Sequence, residues 1–245
     1  MKKICRPLKQ DEILTVYETW GSSHFPFDEL KPLSSIRSLI DRKQYSGYGL
    51  FSRKGETESL LGYALLLHDA EKRKMLLDYY AFLEEQRNKG FGSIFLQNMR
   101  KQTDFPGCYL ECEDPDTASS GEEKSLRRRR IGFYQRNGAF LTQVRACLFG
   151  VTYRMLWLPS SGDVGTEDGF VEAVGTDSVS PAEDPGADSI RSAEDPGVDS
   201  IRSAGGRKRN REPEGDEAFL QDITDFYLSV FPRSVFDKNM KLWLP

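Results

Sequence analysis

The stretch DYYAFLEEQRNKGFGSIFLQNM, residues 78–99, decides how the chain is read. It runs from an apolar, aromatic segment through a polar hinge and two glycines, Gly90 and Gly92, into an amphipathic segment. A strand that ends in such a loop where a helix begins presents unpaired backbone N–H groups at the positive end of the helix dipole. That geometry suits an anion such as a phosphate or pyrophosphate, and a Cβ at 90 or 92 would hold the anion away from those donors. Arg87 and Lys89 add positive charge at the rim. The alternative reading of a GxG pair is a tight turn without a ligand.

Outward from this stretch, YSGYGLFSR, SLLGYALLLHD and RKMLLDYYAFLEE read as three strands separated by the short turns KGETES and AEKR, which makes them antiparallel neighbours. Residues 11–20 and 34–42 read as short helices. After the hinge the order changes to a helix over 90–101, a strand CYLECE at 108–113, a helix over 122–137 and apolar strands around 139–158. The expected fold is α/β (α+β), with a mixed sheet that changes character at the hinge. A nucleoside-triphosphate loop is excluded, because no Lys-Ser or Lys-Thr follows the glycines. A dinucleotide fold has Glu111 about twenty residues on, where a ribose-binding acid would sit. Against it stand Phe95 in place of a third glycine and the antiparallel strands before the loop.

The chain has 245 residues, 38% hydrophobic and 29% charged, with a net charge of −4, and none of these values favours nucleic acid as a partner. The run LRRRR at 126–130 reads as a solvated helix face beside Glu122 and Glu123. No apolar run reaches membrane-spanning length and the start MKKICRPLKQ lacks an export signal, so a cytoplasmic protein without membrane association is expected. Cys5, Cys108, Cys112 and Cys147 form no CxxC pair and only His24 and His68 accompany them, so the expectation is free thiols and no metal.

Three regions follow from composition. Residues 1–160 carry the patterned domain. Residues 161–216 are rich in Gly, Ser, Asp, Glu and Pro and contain AEDPGADSIRS followed at once by AEDPGVDSIRS, an 11-residue duplication; they read as a disordered linker. Residues 217–245 turn apolar again, with Phe219, Leu220, Ile223, Phe226, Tyr227 and Val230 at helical spacing, and read as a helix and tail that dock on the domain or on a dimer mate. Monomer and homodimer both remain open.

RNKGFG at 87–92 resembles the R/Q-x-x-G-x-G/A signature of the GCN5-related N-acetyltransferases. Its context agrees: LLDYYAFLEEQRNKGFGS looks like that family's fourth strand running into its third helix, and RRIGFYQRNGAF at 129–140 looks like its later helix and turn with a Phe-Tyr pair. The resemblance covers roughly residues 1–158 and is nearest to uncharacterised bacterial members of the family. It implies a mostly antiparallel mixed sheet flanked by helices, a splayed strand pair that binds the cofactor, and transfer of an acetyl group from acetyl-CoA to a primary amine. Arg87, Asn88, Lys89, Gly90, Phe91, Gly92 and Ser93 would then hold the pyrophosphate. The backbone of Ala81, Phe82 and Leu83 would pair with the pantetheine arm and, near Phe82, supply the oxyanion donor. Tyr134 takes the role of the acid that protonates the departing thiolate, and Phe133 packs into the core.

An alkylammonium has a pKa of about 10.4, so a base must remove its proton before the nitrogen attacks. Glu84, Glu85, Glu111 and Glu113 are the candidates, with Glu111 favoured because its strand lies beside the expected splay. The segment WGSSHFPFDELKPL, with Trp20, His24, Phe25 and Phe27, is placed on the acceptor side by analogy with the family. A non-catalytic acyl-CoA-binding or interaction module of the same fold is the rival reading.

Overall fold

The computed structural model describes residues 2–69, 71, 73–103, 105–160 and 215–245. Among them, eight strands form one sheet: β1 (Lys2–Pro7), β2 (Tyr45–Lys54), β3 (Thr57–His68), β4 (Met75–Phe82), β5 (Gly107–Glu113), β6 (Phe140–Leu148), β7 (Val151–Pro159) and β8 (Met240–Trp243). Their spatial order is β1-β2-β3-β4-β5-β7-β6-β8. Every neighbouring pair is antiparallel except β4 and β5. The short turns read from the sequence make the β2-β3-β4 meander. The parallel step to β5 needs a crossover, which α3 (Phe91–Gln102) provides. This is the fold class expected, α/β (α+β) with a mixed, mostly antiparallel sheet flanked by helices.

Helices α1 (Gln10–His24), α2 (Leu33–Asp41) and α5 (Asp216–Val230) build the core on one face of the sheet, and α3 with α4 (Gly121–Arg136) builds the core on the other. The C-terminal stripe Phe219, Ile223, Phe226, Tyr227 and Val230 is buried, because a helix bearing five large apolar side chains on one side must cover them. A short helix, α6 (Arg233–Asn239), then leads into β8, whose Met240–Trp243 pairs with Leu148–Arg145 of β6.

Sequence patterning misses β1, α6 and β8. KKICRP and MKLW are too short to show an alternation of their own, and they become strands because β2 and β6 offer them open edges. The expected linker with its duplication falls on residues 161–214, outside the described residues, and on Gly215 and Asp216, of which Asp216 already opens α5.

One irregularity positions the site. In the β3–β4 ladder Leu65 faces Tyr79 and Leu66 faces Leu77, so Asp78 is an extra residue, a β-bulge. The bulge switches which side chains face which core. Leu77, Tyr80 and Phe82 turn to the α3 and α4 side, whereas Leu76, Tyr79 and Ala81 turn to the α1, α2 and α5 side.

Candidate active site

β4 and β5 pair at only two positions, Leu76 with Tyr109 and Leu77 with Leu110. Beyond them β5 stays with β7, Glu111 opposite Met155 and Glu113 opposite Tyr153, while β4 stays with β3. The facing edges therefore part, and a cleft of about 670 Å³ fills the wedge. The structure brings Ala81, Phe82, Arg87, Asn88, Gly90, Phe91, Gly92, Ser93, Glu111 and Tyr134 together in its wall. Two of the expected residues stand outside it. Leu83 donates its N–H to the Leu61 carbonyl at 3.0 Å, and the Lys89 ammonium donates to Gln86 Oε1 at 3.3 Å.

The loop before α3 depends on left-handed backbone at Asn88, with φ of 60°, and at Gly90, with φ of 75°. Gly90 is the N-cap of α3 and makes no side-chain capping bond, so the first-turn N–H groups have no side-chain acceptor from it. The two glycines are needed for different reasons. A Cβ at Gly90 would meet nothing within 4 Å and the constraint is its φ, whereas at Gly92 a Cβ would come within 3.2 Å of the Phe133 ring. Phe133 thus packs, as expected, yet it packs on the glycine loop and lines the cleft. Tyr80 donates from its hydroxyl to the Gly92 carbonyl at 2.6 Å, tying β4 to the first turn of α3.

In the arginine run, Arg128, Arg129 and Arg130 are exposed, as the solvated face read from the sequence requires, and only Arg127 departs from it. Arg127 is buried, donating to the Asp114 carbonyl at 2.8 Å and pairing with Glu113 at 2.7 Å and Glu123 at 2.6 Å. Arg130 pairs with Glu113 as well, at 2.6 Å, and with Arg129 it lines the cleft. A helix that packs on a sheet turns part of every four-residue run inward, which composition alone does not reveal. Glu113 is thereby committed to two guanidinium groups, and Glu84 and Glu85 lie in a 3-10 turn outside the cleft wall.

Glu111 has a different setting. Tyr227 of α5 donates its hydroxyl to Glu111 Oε1. Burial pushes the Glu111 carboxyl up; the Lys31 ammonium and the Tyr227 hydrogen bond pull it back, and Asp78 pushes it further up. Lys31 is fixed from several directions. Its Nζ lies 2.5 Å from Asp78, its N–H donates to the Tyr79 hydroxyl at 3.0 Å, and its carbonyl accepts from Tyr17 at 2.6 Å. Burial alone would pull the Lys31 ammonium down, but Asp78 and Glu111 outweigh it and hold its pKa above the ordinary lysine value. Tyr45 completes the group by donating to Asp78 at 2.7 Å.

Sequence reasoning missed Lys31, Asp78, Tyr45 and Tyr227. The available signals were an aspartate inside the apolar run MLLDYYAF and a tyrosine on the buried stripe of the last helix.

Tyr134, on α4, lines the cleft with its ring 5.2 Å from Phe133 and 6.5 Å from Tyr80. Burial pushes its phenol up, so it is protonated at neutral pH. Of the segment assigned to the acceptor side, His24 and Phe25 line the same cleft and Phe27 is exposed. His24 Nδ1 lies 2.9 Å from the Tyr63 hydroxyl. Among the described residues no group of three His, Cys, Asp or Glu side chains could hold a metal ion.

No protein-family model and no curated protein matches the chain. Similar solved structures include the spermidine N-acetyltransferase of Vibrio cholerae in complex with CoA and spermine, at 9% identity and TM-score 0.46 over 65% of this chain and 96% of that one. An N-acetyltransferase from Staphylococcus aureus Mu50 matches at 15% identity and TM-score 0.43 over 65% and 98%. The aminoglycoside 6'-N-acetyltransferase from Enterococcus faecium matches at 11% identity and TM-score 0.44 over 65% and 98%.

Proposed function

We propose that this chain is a GCN5-related N-acetyltransferase, moving an acetyl group from acetyl-CoA to a primary amine. The observation that carries the reading is the wedge between β4 and β5, with the N-terminus of α3 beside it and Glu111 in its wall. The pyrophosphate is assigned to the first turn of α3, where helix dipole and N–H groups favour an anion and Arg87, Arg129 and Arg130 add positive charge. The pantetheine arm is assigned to the open edge of β4, over Ala81 and Phe82, as an added strand. With the Leu83 N–H already engaged, the oxyanion donor is a backbone N–H between the Asp78 bulge and Phe82.

In the reaction the Glu111 carboxylate accepts the proton that the acceptor ammonium must lose. The raised pKa of Glu111 suits a base, because it lessens the mismatch with an amine. The free nitrogen attacks the thioester carbonyl; as the C–S bond breaks Tyr134 gives its proton to the sulfur, and the second proton that the nitrogen sheds on becoming an amide restores the phenol. The four cysteines are unpaired, and on that ground we read the protein as cytoplasmic. Among the described residues no helix is long and apolar enough to cross a membrane.

The test is incubation of purified protein with acetyl-CoA and a panel of primary amines while free thiol is followed. Amine-dependent thiol release is expected. Tight acetyl-CoA binding without turnover on any amine would instead make the chain a binding module of the same fold.

A further inference from the structure

Lys31 and Glu111 stand together where the first cleft meets a second one of about 610 Å³, and both residues line both spaces. We infer that Lys31 and Asp78 are positioning residues for the transfer, an opposed charge pair that acts through Glu111 and sets the pH at which the reaction begins. The inference rests on the acetyltransferase reading and names what tunes that site.

The placement of the pair is built into the fold. Lys31 lies in the loop before α2, and buried tyrosines hold both of its peptide groups: its N–H donates to the Tyr79 hydroxyl at 3.0 Å and its carbonyl accepts from Tyr17 at 2.6 Å. Tyr79 donates in turn to the Glu29 carbonyl at 2.9 Å, and the Lys31 ammonium stands over the Tyr79 ring, 5.4 Å from its centre. The loop is thus fixed at the residue whose ammonium reaches the junction. Asp78 owes its position to the bulge in β4. Its buried carboxylate meets Tyr45 at 2.7 Å and Lys31 at 2.5 Å, on the side of the sheet to which Tyr79 also turns.

Charge connects the pair to Glu111. A buried carboxylate takes up a proton unless cations and hydrogen-bond donors hold it ionised. Glu29 and Tyr153 line both clefts and Arg42 lines the second, while the first also holds His24, Tyr134 and the three arginines assigned to the pyrophosphate. On β5 itself, burial pushes the Cys112 thiol up to about 12, so it stays neutral, and Glu113 is committed to Arg127 and Arg130. Among these surroundings Lys31 and the Tyr227 hydrogen bond favour the charged form of Glu111, and Asp78 disfavours it. Lys31 and Asp78 therefore pull one group in opposite directions, and losing either must move it.

The test follows kcat/KM of the full chain against pH, with acetyl-CoA and the panel amine that releases thiol fastest. The same amine is used throughout, so its own titration cancels. Lys31→Met removes the cation and is expected to move the acidic limb to higher pH, with a loss on that limb of about threefold or more that shrinks as the pH rises. Asp78→Asn keeps the shape, removes the opposing charge and is expected to move the limb to lower pH. Lys31→Arg keeps the charge and should hold the limb near its wild-type position. A merely structural pair predicts instead an equal loss at every pH. Limbs that stay in place or move the same way in Lys31→Met and Asp78→Asn, or a Lys31→Arg limb displaced like that of Lys31→Met, would overturn the inference and leave the acetyltransferase reading standing. Should Lys31→Met not fold, the direction in Asp78→Asn decides. Thiol release by the wild-type chain with none of the amines would overturn that reading and the inference with it.

Discussion

The hydroxyl of Tyr227, on the last long helix, donates a hydrogen bond to the carboxylate of Glu111, on the strand that borders the wedge, across 116 residues of sequence. The bond joins the C-terminal segment to the proposed chemistry and gives that chemistry a pH dependence. It stabilises the charged carboxylate and so pulls the Glu111 pKa down against burial. In the proposed reaction Glu111 works ionised. Tyr227→Phe removes the donor, raises the pKa and is expected to move the acidic limb of the kcat/KM profile to higher pH. A limb at the wild-type pH in Tyr227→Phe would dissociate Glu111 from the rate.

Glu111→Gln keeps the shape and removes the proposed base. Turnover is expected to fall by about a hundredfold or more, the usual contribution of a positioned general base. The acetyl-CoA dissociation constant, measured by calorimetry, should stay at the wild-type value. A parallel loss of affinity would assign Glu111 to architecture.

Tyr134→Phe separates acid from packing. The ring contacts with Phe133 and Tyr80 survive and the proton is lost, so turnover should fall by roughly a hundredfold with little change in acetyl-CoA affinity. A decrease of less than about threefold would reassign the proton to water and Tyr134 to packing.

The two glycines should fail differently. Gly90→Ala puts a Cβ in open space on a backbone with φ of 75°, so it should cost about 1–2 kcal/mol of stability, read as a lower denaturant midpoint. Gly92→Asp places a carboxylate among the first-turn N–H groups and should weaken acetyl-CoA binding at least about a hundredfold through like-charge repulsion. Intact far-ultraviolet circular dichroism with unchanged affinity in Gly92→Asp would move the phosphate site elsewhere.

Removal of residues 216–245 deletes five buried side chains of α5 and the β8 edge. At about 1.5–3 kcal/mol each, those side chains equal most of the stability of an ordinary domain. The truncated chain is expected to be unfolded or insoluble, as assessed by circular dichroism and solubility. A folded truncation with wild-type melting would show α5 to be dispensable to the core.

What the sequence by itself determined is local. The apolar, aromatic-rich runs of β2, β3 and β4 between their turn residues, the helical stripe of α5 and the two glycines ahead of α3 are each encoded within about ten to fifteen residues, because strand propensity, helix periodicity and turn conformation act over that range. The signature at 87–92 and the Phe-Tyr pair at 133–134 were legible for the same reason.

Only the tertiary structure decided which polar groups share a site. Lys31, Asp78, Glu111 and Tyr227 come from four distant segments, and no spacing in the chain relates them. The bulge at Asp78 is a product of how β4 pairs with β3, and it sets which of its neighbours face each core. Whether Glu111 or Glu113 is available was likewise settled by packing: α4 brings Arg127 and Arg130 to Glu113, whereas α5 brings a tyrosine hydroxyl to Glu111. The physical reason is that a buried charge is tolerated only with its partners in place, and those partners are chosen by the fold in three dimensions.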